Sequence, residues 1–160
     1  MIKWPGKIAP RASNEMVAIH DFFPTLASII GAKMPTDRPI DGVDQSEFFT
    51  GKQAKSNRDS LLTFIGEEIA AVRWRQFRIY PKQFVSSAGN PSMAGAAGYR
   101  TELNGYPSTF NIEQDPREEV NIFGTSGWVI GQYLKSIGEY QKSLEKYPNP
   151  QAVNLTQCGR

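Results

Sequence analysis

Asp21-Phe22-Phe23-Pro24-Thr25-Leu26-Ala27-Ser28-Ile29-Ile30-Gly31 has a start, a body and a stop. Asp21 suits a helix N-cap, because a carboxylate there can accept from the free amides two and three residues on, while Pro24 spends no donor in the first turn. Phe22, Phe23, Leu26, Ile29 and Ile30 recur at helical spacing, and Gly31 falls where a left-handed C-terminal cap favours a residue without a β-carbon. The pattern predicts a short core helix over Phe22 to Ile30. Beyond it, Pro35 and Pro39 hold an extended connector. Asp41-Gly42 then forms a tight turn ahead of a second short helix, Gln45 to Thr50, closed by Gly51.

Further along, the periodicity changes. Leu61 to Ile65 is apolar and partly β-branched, which suits a strand broken at Gly66, Glu67 and Glu68. Ile69 to Arg73 and Phe77 to Tyr80 read as a hairpin around Trp74, Arg75 and Gln76. Its arginines, Arg73, Arg75 and Arg78, read as a solvated face that keeps an edge from pairing with other molecules, with an anion site as the alternative. Ser86 to Pro107 is rich in Gly, Ala, Ser and Asn and is expected to be a long loop. Loops of that length often form lids or binding surfaces. Tyr99 and Arg100 are its only bulky polar pair, an aromatic face and a bidentate donor suited to a sugar ring or a sulfate, and so are candidates for a pocket rim. The alternative is an insertion with no role. Ser108 to Ile112 is a further strand, and Asp115-x-x-Glu118 with Pro116 has the form of a capping box opening one helical turn. From Ser126 on, Ile130, Tyr133, Leu134, Ile137, Tyr140 and Leu144 repeat in steps of three and four, the mark of a long amphipathic helix that Pro148 and Pro150 stop. The expected class is α+β: a small antiparallel sheet of about four strands packed against a long C-terminal helix, with a short helix near the N-terminus.

Composition narrows the functional classes. The chain has 160 residues, 39% of them hydrophobic and 21% charged, which is enough for one domain with a core. A net charge of +2, with no basic stripe, argues against nucleic acid as a partner. No stretch approaches the roughly 20 apolar residues of a membrane span, and no signal sequence is visible at the start. The lone Cys158 excludes an internal disulfide and leaves the redox compartment open. Asn154-Leu155-Thr156 fits a glycosylation sequon, a match that short sequences make often by chance. The only histidine, His20, adjoins Asp21. It reads as a buried or half-buried neighbour of the cap, with a place behind a substrate pocket as the alternative.

Taken in order, Trp4-Pro5-Gly6-Lys7-Ile8, Asp21 to Leu26, and Pro35 to Val43 with its Asp37-Arg38-Pro39-Ile40-Asp41-Gly42 core form a connected series. Ala71-Val72-Arg73 with Phe77-Arg78-Ile79 follows, then Phe110-Asn111-Ile112 with Asp115-Pro116-Arg117-Glu118-Glu119-Val120-Asn121-Ile122. This series resembles the C-terminal region of arylsulfatase-type sulfatases, members of the alkaline phosphatase superfamily. Each motif alone is weak, but five in sequence between residues 4 and 122 are specific.

The resemblance implies an organisation. Residues 1–60 would be a connector with short core helices, continuing from a catalytic domain that the chain lacks. Residues 61–147 would be the sulfatase C-terminal subdomain, and 148–160 a tail. It also implies a parent reaction, hydrolysis of a sulfate ester on a sulfated small molecule or glycan, with formylglycine hydrate attacking sulfur and calcium holding sulfate oxygens. Those cofactors belong to the full-length parent. The Cys/Ser-x-Pro-x-Arg motif is absent here, and the family's Gly-x-Lys loop would precede Trp4. Sulfate-ester cleavage needs a nucleophile, stabilisation of a multiply charged transition state and an acid for the leaving oxygen, and one histidine cannot supply that set. The chain alone is therefore expected to have no catalytic residue, no metal ligand and no activity. The family is often periplasmic, secreted or lysosomal. The alternatives are a self-standing accessory or oligomerisation module, or the corresponding part of a phosphonate or phosphate ester hydrolase of the same superfamily.

Overall fold

The computed structural model describes residues 1–66, 68–86 and 99–148. Two short helices lead, α1 (Phe22–Ile30) and α2 (Ser46–Thr50). Four strands follow, β1 (Ser60–Ile65), β2 (Glu68–Trp74), β3 (Phe77–Ser86) and β4 (Tyr99–Asn111), and then α3 (Phe123–Ser126) and α4 (Ile130–Lys146). A single 3-10 turn, Gly127–Val129, joins the last two, so the helical path runs from Phe123 to Lys146. This is the expected α+β arrangement. Both short helices end on glycines in the left-handed region, Gly31 at φ 69° and Gly51 at φ 79°, which is what those positions require.

The strands form one antiparallel sheet in the order β1-β2-β3-β4, each paired with its neighbour in sequence. Two-residue connections join β1 to β2 and β2 to β3, as antiparallel neighbours allow. Trp74 faces Phe77 across a two-residue turn in which Arg75 takes φ 51°. The core lies on the helix side of the sheet: Phe77, Ile79 and Val129 are buried, with Trp74, Ile122 and Tyr133 against them. Higher on the helix, Tyr140 meets Phe64 of β1 at 5.2 Å between ring centres.

Three expectations need correction. Residues 99–107 are not loop. They form the first part of β4, with Tyr99 opposite Ser86 and Leu103 opposite Lys82. The turn-forming run Asn104-Gly105-Tyr106-Pro107 is absorbed as a bulge, because Tyr80 pairs with Ser108 while Lys82 already pairs with Leu103. Pro81 sits opposite that bulge, where its missing N–H costs no ladder bond. Residues 87–98, the rest of the expected loop, lie outside the described residues, as does the tail from 149 onward. Secondly, Asp115 to Glu118 is a turn rather than a helix start. Asp115 accepts from the Val120 amide at 2.9 Å, and Glu118 takes φ 59°. Finally, α1 is not a core helix of this chain. It buries Pro24, Thr25 and Ala27 and turns its large apolar residues outward.

Candidate functional site

Among the described residues the most deeply buried charge is Asp21, fully removed from solvent. Its carboxylate does not cap α1. It accepts instead from the Ala18 amide at 2.8 Å, from the Val43 amide at 2.9 Å and from the Arg58 guanidinium at 2.5 to 3.1 Å. Burial alone raises a carboxyl pKa. The bonds from Arg58, Val43 and Ala18 outweigh it and hold Asp21 at about 2, against an ordinary 3.8. Arg58 extends the knot, donating to the Asp41 carbonyl at 2.8 Å and to the Ser60 carbonyl at 3.3 Å.

Neutral groups complete it. The Thr25 hydroxyl donates to the Asp21 carbonyl at 2.6 Å and accepts from the Gln45 amide at 2.9 Å. The buried Gln45 side chain accepts from the Asn57 amide at 3.0 Å, while its Nε2 has no partner. Gly42 lies so close to the His20 carbonyl that a β-carbon would sit 2.2 Å from that oxygen. Three segments, residues 18–25, 41–45 and 57–60, therefore meet around one carboxylate. Nothing local announced Arg58 or Gln45 as members, since both fall in polar runs without periodicity.

A second polar cluster lies along β2 and β3. Glu118 accepts from Arg78 Nη1 and from the Tyr80 hydroxyl, each at 2.6 Å. Arg75 stacks over Trp74 at 4.9 Å and faces Asp59 at 3.6 Å. Arg73 Nε donates to the Arg75 carbonyl at 3.1 Å, and burial, followed by the nearby Arg78, lowers its pKa. So Arg78 and Arg75 are engaged with carboxylates of the chain itself rather than standing as a free cationic face.

His20 is exposed, not buried beside the cap, and its imidazole is absent from the Asp21 knot. It borders a cavity of about 430 Å³ between β1 and α4, shared with Asp41, Phe64, Ser136, Glu139 and Tyr140. Tyr99 and Arg100 open β4, opposite Ser86 and Val85, at the sheet edge away from β1. The fold thus sets His20 and the Tyr99-Arg100 pair at opposite edges of the sheet. Among the described residues no three His, Cys, Asp or Glu side chains converge on a point that could hold a metal ion. Cys158 lies outside the described residues. Nor is any helix long and apolar enough to cross a membrane, again among the described residues.

No protein-family model matches the chain. Curated relatives do. Human arylsulfatase D is 26% identical over 170 residues, covering 96% of this chain and 28% of that protein. Steryl-sulfatase from Mus musculus is 33% identical over 131 residues, covering 74% of this chain and 21% of that protein. Among solved structures, the PsFucS1 sulfatase from Pseudoalteromonas sp. shares the fold with a TM-score of 0.71 at 24% identity, over 82% of this chain and 26% of that one. The chain spans less than a third of the length of the curated relatives it matches. With the motif series, the sheet and the long helix all in place, the chain belongs to the arylsulfatase-type sulfatases and corresponds to the C-terminal region of their fold.

Proposed function

We propose that this chain is the C-terminal part of an enzyme that hydrolyses sulfate esters, and that it acts as a buttress rather than as a catalyst. In the longer protein, an upstream catalytic domain supplies the nucleophile and the metal site. The present residues pack beside that domain and shape entry to its pocket. The single observation carrying this reading is that nearly the whole chain aligns with under a third of each sulfatase. His20, Tyr99 and Arg100 are the residues we place at the pocket rim, on two separate approaches to it. The substrate class is a sulfated small molecule or glycan, inferred from the relationship alone.

Two measurements test the reading. The purified chain, given a chromogenic aryl sulfate and calcium, should release product no faster than a buffer blank, because it carries no nucleophile motif; a calcium-dependent rate that co-purifies with the chain refutes the assignment. The genomic DNA directly upstream should encode, in some frame, a Cys/Ser-x-Pro-x-Arg motif and a Gly-x-Lys loop. Unrelated sequence in that position would instead favour a self-standing module. The uncovered apolar face of α1 supports the first reading, as a surface that an upstream domain would cover.

A further inference from the structure

Of the three arginines on the β2–β3 hairpin, two meet carboxylates of the chain, Arg78 with Glu118 and Arg75 with Asp59. Arg73 is the third. It stands directly opposite Arg78 in the register, so two guanidinium groups share one face of the sheet, the face away from the buried Phe77 and Ile79. Arg73 is half-buried, and among the described residues it makes no ion pair. Only its Nε is used, donating to the Arg75 carbonyl at 3.1 Å. Burial, followed by Arg78, makes it a weaker base than a free arginine, and the nearby Glu113 does not offset them. A cation drawn out of water beside a like charge is costly until an anion meets it.

Arg73 borders a cleft of about 130 Å³ shared with Asn14, Glu15, Lys55, Gln76 and Glu113. One wall is tied in place: Glu15 accepts from the Ser56 amide at 2.9 Å, and the Ser56 hydroxyl donates to the Met16 carbonyl at 2.5 Å. Asp21 and Asp59 neutralise the two other arginines that reach the cleft, Arg58 and Arg75, and Glu15 is turned to Ser56. Arg73 and Lys55 remain, against Glu113 alone. We propose that this cleft binds a compact tetrahedral oxyanion, sulfate or phosphate, gripped by the Arg73 guanidinium with Asn14 and Lys55 as further donors. Three features select that ligand. The two outer nitrogens of a guanidinium match a pair of oxygens on one anion. The donors come from three separate segments, which suits a tetrahedral ion better than a planar carboxylate. The space is also well below the roughly 300–1,000 Å³ of pockets for larger molecules. Glu113, exposed at the rim, is the competing anion, close enough to act on Arg73 but not paired with it. This inference does not depend on the sulfatase reading, since it rests on charge and geometry within the chain.

Isothermal titration of the purified chain with sodium sulfate, against sodium chloride at the same ionic strength, tests it. The expected result is saturable one-to-one binding with a Kd on the order of 1 mM, where chloride gives none. Arg73→Gln should weaken it by about tenfold or more, and Arg73→Lys by less, because the charge stays while the fork is lost. Glu113→Gln should tighten it by removing the competitor, and Arg38→Gln, an exposed arginine outside the cleft, should leave it unchanged. In the unmodified chain the Asn14 side-chain amide and the Arg73 Nε–H resonances should shift along the same isotherm, a readout that needs no variant. Methyl sulfate tells two sources of the anion apart: retained binding assigns the cleft to a sulfate group carried on a larger molecule, and loss of binding assigns it to the free ion. No heat beyond the chloride blank overturns the proposal, as does sulfate binding that survives Arg73→Gln. Acetate bound as tightly as sulfate overturns it too, and gives the cleft to a carboxylate. None of these outcomes bears on sulfate-ester hydrolysis, so the two readings fail separately.

Discussion

Asp21 shows how far a residue's neighbourhood can depart from its sequence context. Next to a helix start, an aspartate is expected to cap; this one reaches back to Ala18 and across to Val43 and Arg58. Its carboxyl is held at about 2 in the folded chain against an ordinary 3.8, which is worth about 2.5 kcal/mol. The sign follows from the depressed value. The contribution is complete above the unfolded pKa of 3.8 and is lost as the pH falls toward 2. Urea midpoints measured between pH 5 and pH 2 should drop in this window, and Asp21→Asn should remove most of that dependence while lowering stability at every pH. Gly42 is the other residue-scale constraint. An added β-carbon would meet the His20 carbonyl and the Pro24 ring, and both are backbone-fixed. Gly42→Ala should therefore cost about 2 kcal/mol or more, seen as a lowered thermal midpoint. The Asp-Gly turn was legible in the sequence. That its glycine serves close approach to another segment was not.

At the level of elements, α1 and α2 were readable because spacing and terminal glycines act locally. Strand lengths were not. β4 runs through Asn104-Gly105-Tyr106-Pro107, residues whose turn preference is overridden by pairing with β3 on either side of a bulge. The segment after β4 misled in the opposite direction. Asp115 and Glu118 have the spacing of a capping box, yet Glu118 points to β3 and bridges Arg78 and Tyr80. Burial, and then the bond to Glu118, raises the Tyr80 hydroxyl above its ordinary pKa. Glu118→Gln should thus lower the pH at which Tyr80 ionises, followed by tyrosinate absorbance, and should loosen the turn at 113–120. An unchanged titration would mean that Glu118 does not hold this hydroxyl in solution.

Across the whole molecule, one side chain joins the leading segments to the sheet. Arg58 touches Asp21, the Asp41 carbonyl and the Ser60 carbonyl, and its side chain is only 10% exposed. Arg38 makes an ion pair with Asp37 at 2.8 Å, but there both partners are mostly exposed. Distance alone would rank the two pairs together; solvent separates them. Arg58→Ala should cost about 3 to 5 kcal/mol because it strands a buried carboxylate. Arg38→Ala should leave stability nearly unchanged. Guanidinium unfolding of the two variants side by side distinguishes these cases, and equal small losses would show that the knot does not join the halves. Sequence by itself determined the α+β class, the short helices with their glycine stops, the amphipathic C-terminal helix and the sulfatase kinship, because helix periodicity, turn chemistry and an ordered motif series act over neighbouring residues. Only the tertiary structure decided that Asp21 is a hub, that β4 swallows a turn, that His20 and Arg100 stand at opposite edges of the sheet, and that α1 turns its large residues outward. Each of these depends on which distant segment comes to lie alongside, and no local pattern encodes that neighbour.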